Sequence, residues 1–61
     1  MAALAVNKNG TEVITDNINN THRNIFEGYW YCCSQIIALP KGTIEKIIGR
    51  KLTWDDAPVK I

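Results

Sequence analysis

The sequence predicts a small α+β domain, with a mainly antiparallel sheet in the order β-β-β-α-β and one short helix on one face of it. Three observations predict this class: an Asn-Gly turn between two short runs near the start, an aromatic and β-branched run in the middle, and a helical stripe of isoleucines near the end. A chain of 61 residues has room for a single domain, which we place at residues 1–61.

The first predicted element is a β-hairpin. Its strands are residues 4–6 and 11–15, and β-branched side chains in the second strand suit a pleated surface. Residues 7–10 join them, because Asn and Gly tolerate the positive φ angles of tight turns. The next stretch, residues 16–24, is rich in asparagine, whose side chain favours turns. It is predicted to be a loop with a candidate functional role.

The central run, residues 29–39, is predicted to be one long strand, because aromatic and β-branched side chains fill it between a glycine and a proline. Both of its faces are apolar, and a strand of this kind is covered on both faces. One short helix covers only one face, so a second subunit, a ligand or a loop must cover the other. We therefore expect a homo-oligomer.

The predicted helix spans Thr43–Ile48, where three isoleucines share one helical face. Thr43 is its predicted N-cap, and Gly49 is placed to end it in the left-handed conformation. A turn is predicted at residues 53–56. Residues 58–61 are predicted to form an edge strand, because a proline is tolerated where a strand begins.

Composition argues against several classes of function. Seven basic and six acidic residues leave a net charge of +1, without the excess of a non-specific nucleic-acid binder. Cys32 and Cys33 are adjacent and point to opposite faces of a strand, which suits neither a disulfide nor a zinc site. A catalytic pair of either cysteine with His22 lacks an orienting acid. We expect no enzymatic activity, no bound metal and no cofactor. Because the sequence shows neither a signal peptide nor a membrane-spanning stretch, we expect a cytoplasmic protein.

An anion site is the first candidate binding site. Lys41, Gly42 and Thr43 stand at the start of the predicted helix, where free amides bind anions. Glycine allows a close approach, lysine adds a charge and threonine adds a hydroxyl. The same residues also suit an ordinary strand-to-helix turn, so both interpretations stay open.

Aromatic stacking is the second candidate. Tyr29, Trp30 and Tyr31 are consecutive, so either Trp30 or both tyrosines must face away from the core. Such rings stack on nucleobases, and they are also typical of cores and protein interfaces. His22 and Arg23 in the predicted loop either close over the same ligand or remain solvated.

The run LPKGTIEKIIGRKLTWDDAPV, residues 39–59, resembles the C-terminal part of short accessory proteins from phages and prophages. Residues 5–7 and 10–12 are similar to the start of those proteins, and the predicted loop falls outside the resemblance. The resemblance implies a phage accessory protein in the cytoplasm of a host bacterium. Such a protein inhibits a host system by binding a host protein or by sequestering a nucleotide signal, commonly as an oligomer.

Three functions follow from these interpretations. The first is a non-enzymatic, phage-type anti-defence protein that binds and sequesters a small nucleotide-like anion as a homo-oligomer. The second is an inhibitor that docks on a host protein, either by the edge strand at residues 59–61 or by an aromatic face. The third is a structural homo-oligomer without a ligand.

Overall fold

A computed structural model describes residues 1–61 and contains two antiparallel sheets and one helix, which confirms the α+β class. The elements are β1 (Ala3–Val6), β2 (Glu12–Thr15), a 3-10 turn (Ile18–Asn20), β3 (Thr21–Asn24), β4 (Tyr29–Cys32), β5 (Ile36–Leu39), α1 (Thr43–Ile48) and β6 (Val59–Lys60). The chain therefore has more strands than predicted. The strands of the four-stranded sheet lie in the order β5-β2-β1-β6, and β3 and β4 form a separate hairpin.

The first hairpin is confirmed. β1 and β2 pair in an antiparallel register that places Leu4 opposite Ile14, and the connecting turn ends at Gly10 with a φ of 92°. β6 lies on the other side of β1, with Leu4 also opposite Val59, so the predicted edge strand near the end is confirmed too. β1 thereby lies inside the sheet, and all four of its residues are buried.

The long central strand is a wrong prediction. Residues 33–35 bend, so that β4 pairs with β3 while β5 pairs with β2 in the other sheet. Asp16 holds the bend, since its Oδ1 accepts a hydrogen bond from the Gln35 amide at 3.3 Å and lies 3.5 Å from Cys32 Sγ. The break therefore depends on a carboxylate distant in sequence, and no glycine or proline marks it locally.

The predicted loop at residues 16–24 is wrong in its second half, where β3 forms. β3 pairs with β4 so that Arg23 lies opposite Trp30 and His22 lies opposite Tyr31. The Thr21 hydroxyl lies 2.8 Å from the Thr15 hydroxyl, which ties the start of β3 to β2. Pairing with an aromatic strand outweighs the turn preference of the asparagines, because β propensity depends strongly on context.

The central sheet is covered on both faces within one chain. Leu4 and Val6 of β1 pack toward the helix, while Ala5 and Val13 pack toward Trp30 of the hairpin. The alternation of side chains along a strand places these two sets on opposite faces. The β3–β4 hairpin thus covers one face of this sheet within the same chain. The homo-oligomer was expected from a single strand at residues 29–39, which is divided into β4 and β5, and Tyr29 and Tyr31 on the outer face of β4 remain exposed. The homo-oligomer stays a prediction.

The helix lies where it was predicted, but its N-cap is not the predicted Thr43. The N-cap is Gly42, whose φ of 92° is a conformation that favours glycine, whereas the Thr43 hydroxyl donates to the Pro40 carbonyl at 2.6 Å. Gly49 ends the helix in the left-handed conformation, as predicted. This helix of six residues is the longest in the chain, and no helix is long and apolar enough to cross a membrane.

Candidate functional site

The start of α1 is held by an acid from β2. Glu12 Oε1 accepts a hydrogen bond from the Ile44 amide at 2.8 Å, and its Oε2 accepts one from the Gly42 amide at 2.6 Å. Hydrogen bonds from the Ile44 and Gly42 amides hold the pKa of Glu12 below its ordinary value, while burial acts in the opposite direction. The chain therefore carries its own anion at the helix start.

This internal carboxylate changes what the predicted anion site can offer. The Gly42 amide is engaged by Glu12, and the Thr43 hydroxyl is engaged by Pro40. Lys41 stays exposed beside them, and its charge contributes to the lowered pKa of Glu12. Of the three residues, Lys41 is the one whose side chain is free for a ligand.

A groove of about 500 Å³ opens next to this helix start. Its walls come from the β1–β2 turn, the turn that leads into α1 together with the first helical turn, and the segment after α1. Its floor is apolar and consists of Val6, Ile44 and Leu52, all of them buried. Each wall carries one exposed lysine, and these are Lys8, Lys41 and Lys51.

The charges in the groove are mixed. Glu45 and Asp55 line it as exposed acids, and Glu12 lines it with a carboxylate that two amides already engage. With Glu12 counted, three lysines face three acids, so the lining has no net formal charge, and backbone amides already engage the Glu12 carboxylate. The groove is partly apolar, and the short turns that form it bring together charges from distant parts of the sequence.

Trp54 forms one side of the groove and also belongs to an aromatic stack. Its ring meets the Trp30 ring edge to face, with centroids 5.8 Å apart and an interplanar angle of 63°. The Arg23 guanidinium carbon lies 4.8 Å from the Trp30 centroid and 5.2 Å from the Trp54 centroid. Arg23 also donates to the Asp56 carbonyl at 3.2 Å. The stack fixes Trp54 against the hairpin, and Trp54 is also one of the residues that border the groove.

Trp30 has a structural position. Its side chain is only 5% exposed, and its indole Nε1 donates to the Val6 carbonyl at 2.9 Å. Its backbone amide donates to Asn7 Oδ1 at 2.8 Å. These bonds join the hairpin to the end of β1, so the Trp30 face is closed to a stacking ligand in this fold.

The tyrosines face outward, as one of the two predicted arrangements required. Tyr29 and Tyr31 are exposed on the outer face of β4, and His22 lies opposite Tyr31 on β3. Beyond them, the hairpin tip presents Ile25 and Phe26, and Phe26 is 93% exposed. His22 and Tyr31 line a shallow depression there with that tip, separate from the groove.

Seven of the eight predicted site residues fall into three places, and Thr43 lies outside them at the start of α1. Lys41 and Gly42 border the groove, and Arg23 and Trp30 lie in the aromatic stack. The outer face of the hairpin carries His22, Tyr29 and Tyr31. Sequence reasoning missed Lys8, Lys51, Trp54 and Glu12. Each lies in or beside a turn, and a search for lysines flanking every turn would have found the first two.

Histidine, cysteine and acidic side chains do not come together in a group of three or more that could hold a metal ion. Both cysteines are free thiols, with Cys32 buried and Cys33 exposed. No protein-family model matches the chain, and comparison with curated proteins and with solved structures finds no significant match.

Proposed function

We propose that this chain is a non-enzymatic binding protein for a small nucleotide-like anion, and that the groove beside α1 holds the ligand. The observation that supports this most directly is that three exposed lysines and Trp54 border one groove of about 500 Å³. Small-molecule sites usually enclose about 300–1,000 Å³ and combine an apolar lining with a few placed polar groups. The groove fits that description.

Each part of the groove suits one part of a nucleotide. The lysines bind phosphate oxygens as point charges, and the indole of Trp54 offers a ring for base stacking. Val6, Ile44 and Leu52 provide an apolar floor. The free acids accept hydrogen bonds from sugar hydroxyls or from an exocyclic amine, which inorganic phosphate lacks.

The biological context in this proposal comes from the phage and prophage resemblance. Binding without turnover would sequester a nucleotide signal in the cytoplasm of a host bacterium and so counteract a defence system. Self-association would present one groove from each copy. Relative to the sequence prediction, Lys41 keeps its role, while Trp54, Lys8 and Lys51 take the roles first given to the tyrosines, Gly42 and Thr43.

The proposal is tested by isothermal titration calorimetry at fixed ionic strength with inorganic phosphate, AMP, ATP and a cyclic dinucleotide. We expect the base-carrying ligands to bind more tightly than phosphate. Lys51→Ala should weaken that binding about tenfold or more, because a hydrogen bond to a charged group is worth about 1.5–3 kcal/mol.

The matched control is Lys60→Ala, which removes one exposed lysine from β6, outside the groove. It should leave affinity unchanged. Equal losses in the two variants would mean that binding reflects overall charge, and no heat from any of the four ligands at millimolar concentration would refute the proposal.

A second function is favoured by the exposed hairpin tip. Phe26 is 93% exposed and Ile25 is 67% exposed, beside the outward Tyr29 and Tyr31. Aromatic side chains of this kind are enriched at protein interfaces, so this face suits an inhibitor of a host protein. β6, with two residues, offers less main chain for docking. Stoichiometric recovery of one host protein by the wild type but not by Phe26→Ser is the result this function predicts.

A further inference from the structure

Within β5 itself, the outer edge of the central sheet carries no charge and no proline to prevent pairing. β5 forms this edge, and its four residues are all uncharged. Ile36, Ile37 and Ala38 are exposed, with Ile37 at 54%. Natural sheets blunt such edges with charges, prolines, bulges or covering loops. The opposite edge differs, since β6 is only two residues long and contains Lys60.

The backbone groups of β5 divide into two sets. The Asp16 amide donates to the Gln35 carbonyl at 3.2 Å, so these two residues form a hydrogen-bonded pair. Together with the register, this pair determines which residues of β5 bond to β2. Because hydrogen-bonding residues alternate in an antiparallel pair, Ile37 and Leu39 direct their N–H and C=O groups to β2. Ile36 and Ala38 direct theirs outward, where this chain provides no partner strand.

We propose that this edge binds a second copy of the chain, with β5 against β5 in an antiparallel pair around a two-fold axis at Ile37. In this register Ile36 of each copy lies opposite Ala38 of the other, and each pair exchanges both of its N–H···O bonds. Ile37 lies opposite Ile37 of the second copy. The two four-stranded sheets then form one continuous sheet.

The strand is self-complementary, which favours a second copy over a foreign peptide. Its two outward-facing residues are separated by one position, so a two-fold rotation matches donors with acceptors without a shift. No charged side chain lies in the strand, so no like charges meet at the axis. The exposed Ile37 side chains cover each other, and a domain of this size gains from any additional buried apolar surface. A single strand pair is a small interface, so the dimer is reversible.

This inference concerns the protein without ligand and does not rest on the groove. Its test can therefore fail while the groove binds a nucleotide, and the reverse also holds. The measurements below contain no nucleotide.

The register is tested by cysteine cross-linking in a Cys33→Ser background, which removes the exposed native thiol. Ile37→Cys places two cysteines opposite each other, with Cα atoms about 4.5 Å apart, which a disulfide can span. Ile36→Cys is the matched control. In the proposed dimer, position 36 of one copy lies about 7 Å along the strands from position 36 of the other copy, beyond the reach of a disulfide.

Under mild oxidation we expect Ile37→Cys to run as a covalent dimer on a non-reducing gel and Ile36→Cys to remain a monomer. Equal cross-linking of the two variants, or preferential cross-linking of Ile36→Cys, would overturn the two-fold register. Sedimentation velocity of the wild type over a concentration series should show a monomer–dimer equilibrium. A monomer at every concentration up to millimolar refutes the proposal.

The backbone contribution is tested by Ala38→Pro, which removes an amide that points away from β2 and is tolerated at a sheet edge. It should remain monomeric where the wild type is dimeric, and Ala38→Ser, which keeps the amide, should dimerise. If Ala38→Pro unfolds, amide hydrogen exchange of the wild type tests whether the β5 edge pairs with a second copy. The amides of Ile36 and Ala38 should be protected only at dimer concentrations, and those of Ile37 and Leu39 at all concentrations. Protection by an added extended peptide while the chain stays monomeric would assign the edge to a peptide and overturn self-pairing.

Discussion

The two faces of the central sheet are closed by layers that are held in different ways. On one face, α1 buries Ile44 and is fixed by the Glu12 carboxylate at its start. On the other, the β3–β4 hairpin is fixed by Trp30, which Arg23 and Trp54 flank. A helix of six residues is too short to hold itself, so its layer depends on a charged cap, whereas the hairpin layer depends on aromatic packing. The two layers should therefore respond to different perturbations.

Trp30→Ala should have the largest effect, because it removes the anchor of the hairpin layer. Replacing a buried tryptophan with alanine costs about 3–5 kcal/mol, and a domain has a total stability of about 0.05–0.15 kcal/mol per residue. For this 61-residue chain that total is about 3–9 kcal/mol, so the loss is a large share of the stability and the variant should unfold at a much lower urea concentration than the wild type. Urea unfolding followed by circular dichroism measures it. Tyr31→Ala on the exposed side of the same strand is the control, and a smaller cost there is expected.

Glu12→Gln should have an intermediate effect that depends on pH. The folded pKa of Glu12 lies below its ordinary value, so its stabilising contribution is complete above about pH 4.3 and is lost as the pH falls through the folded pKa. At neutral pH the loss should resemble that of a helix cap, about 0.5–2 kcal/mol.

The pH dependence separates the helix layer from the hairpin layer. Urea unfolding of the wild type and of Glu12→Gln between pH 2 and pH 7 should show converging stabilities as the pH falls below about 4.3. Glu45→Gln, which removes an exposed acid of the same helix, is the matched control and should keep the acid-dependent loss. A constant difference between the wild type and Glu12→Gln at every pH would contradict the role of the charge.

Arg23→Lys should have the smallest effect of the three. It keeps the positive charge and loses the planar guanidinium that contacts both indoles, and exposed cation–π contacts contribute about 0.5–1 kcal/mol. Thermal unfolding of Arg23→Lys beside Arg50→Lys measures the difference. If both variants match the wild type, the guanidinium stack adds nothing to the hairpin layer.

The helix layer was predictable from the sequence because its signals are local. The isoleucine spacing and Gly49 mark α1 within a few residues, and the Asn-Gly turn marks the first hairpin in the same way. The acceptor that holds the helix start was not predictable, since Glu12 lies on a strand far back in the sequence. A threonine at the start is a strong local cap signal, and here a more distant carboxylate replaced it.

The hairpin layer was not predictable because its signals are non-local. Residues 29–39 are apolar throughout, and the bend at residues 33–35 depends on Asp16 from another part of the chain. β3 exists because β4 pairs with it, in a segment whose asparagines favour turns. The groove was missed for the same reason, since its lysines come together only after three separate turns have formed.

The position of β1 has a consequence for how the chain folds. The sheet pairs Ala3 with Lys60 as well as with Thr15. β1 therefore has one neighbouring strand that is close in sequence and another that is far away in sequence. The β1–β2 hairpin can form in about 1–10 μs, but one side of β1 stays open until β6 arrives. Non-local pairing of this kind slows folding and leaves an apolar edge exposed in the meantime. During synthesis that edge emerges early and is closed last, so the nascent chain has its greatest tendency to aggregate just before β6 pairs.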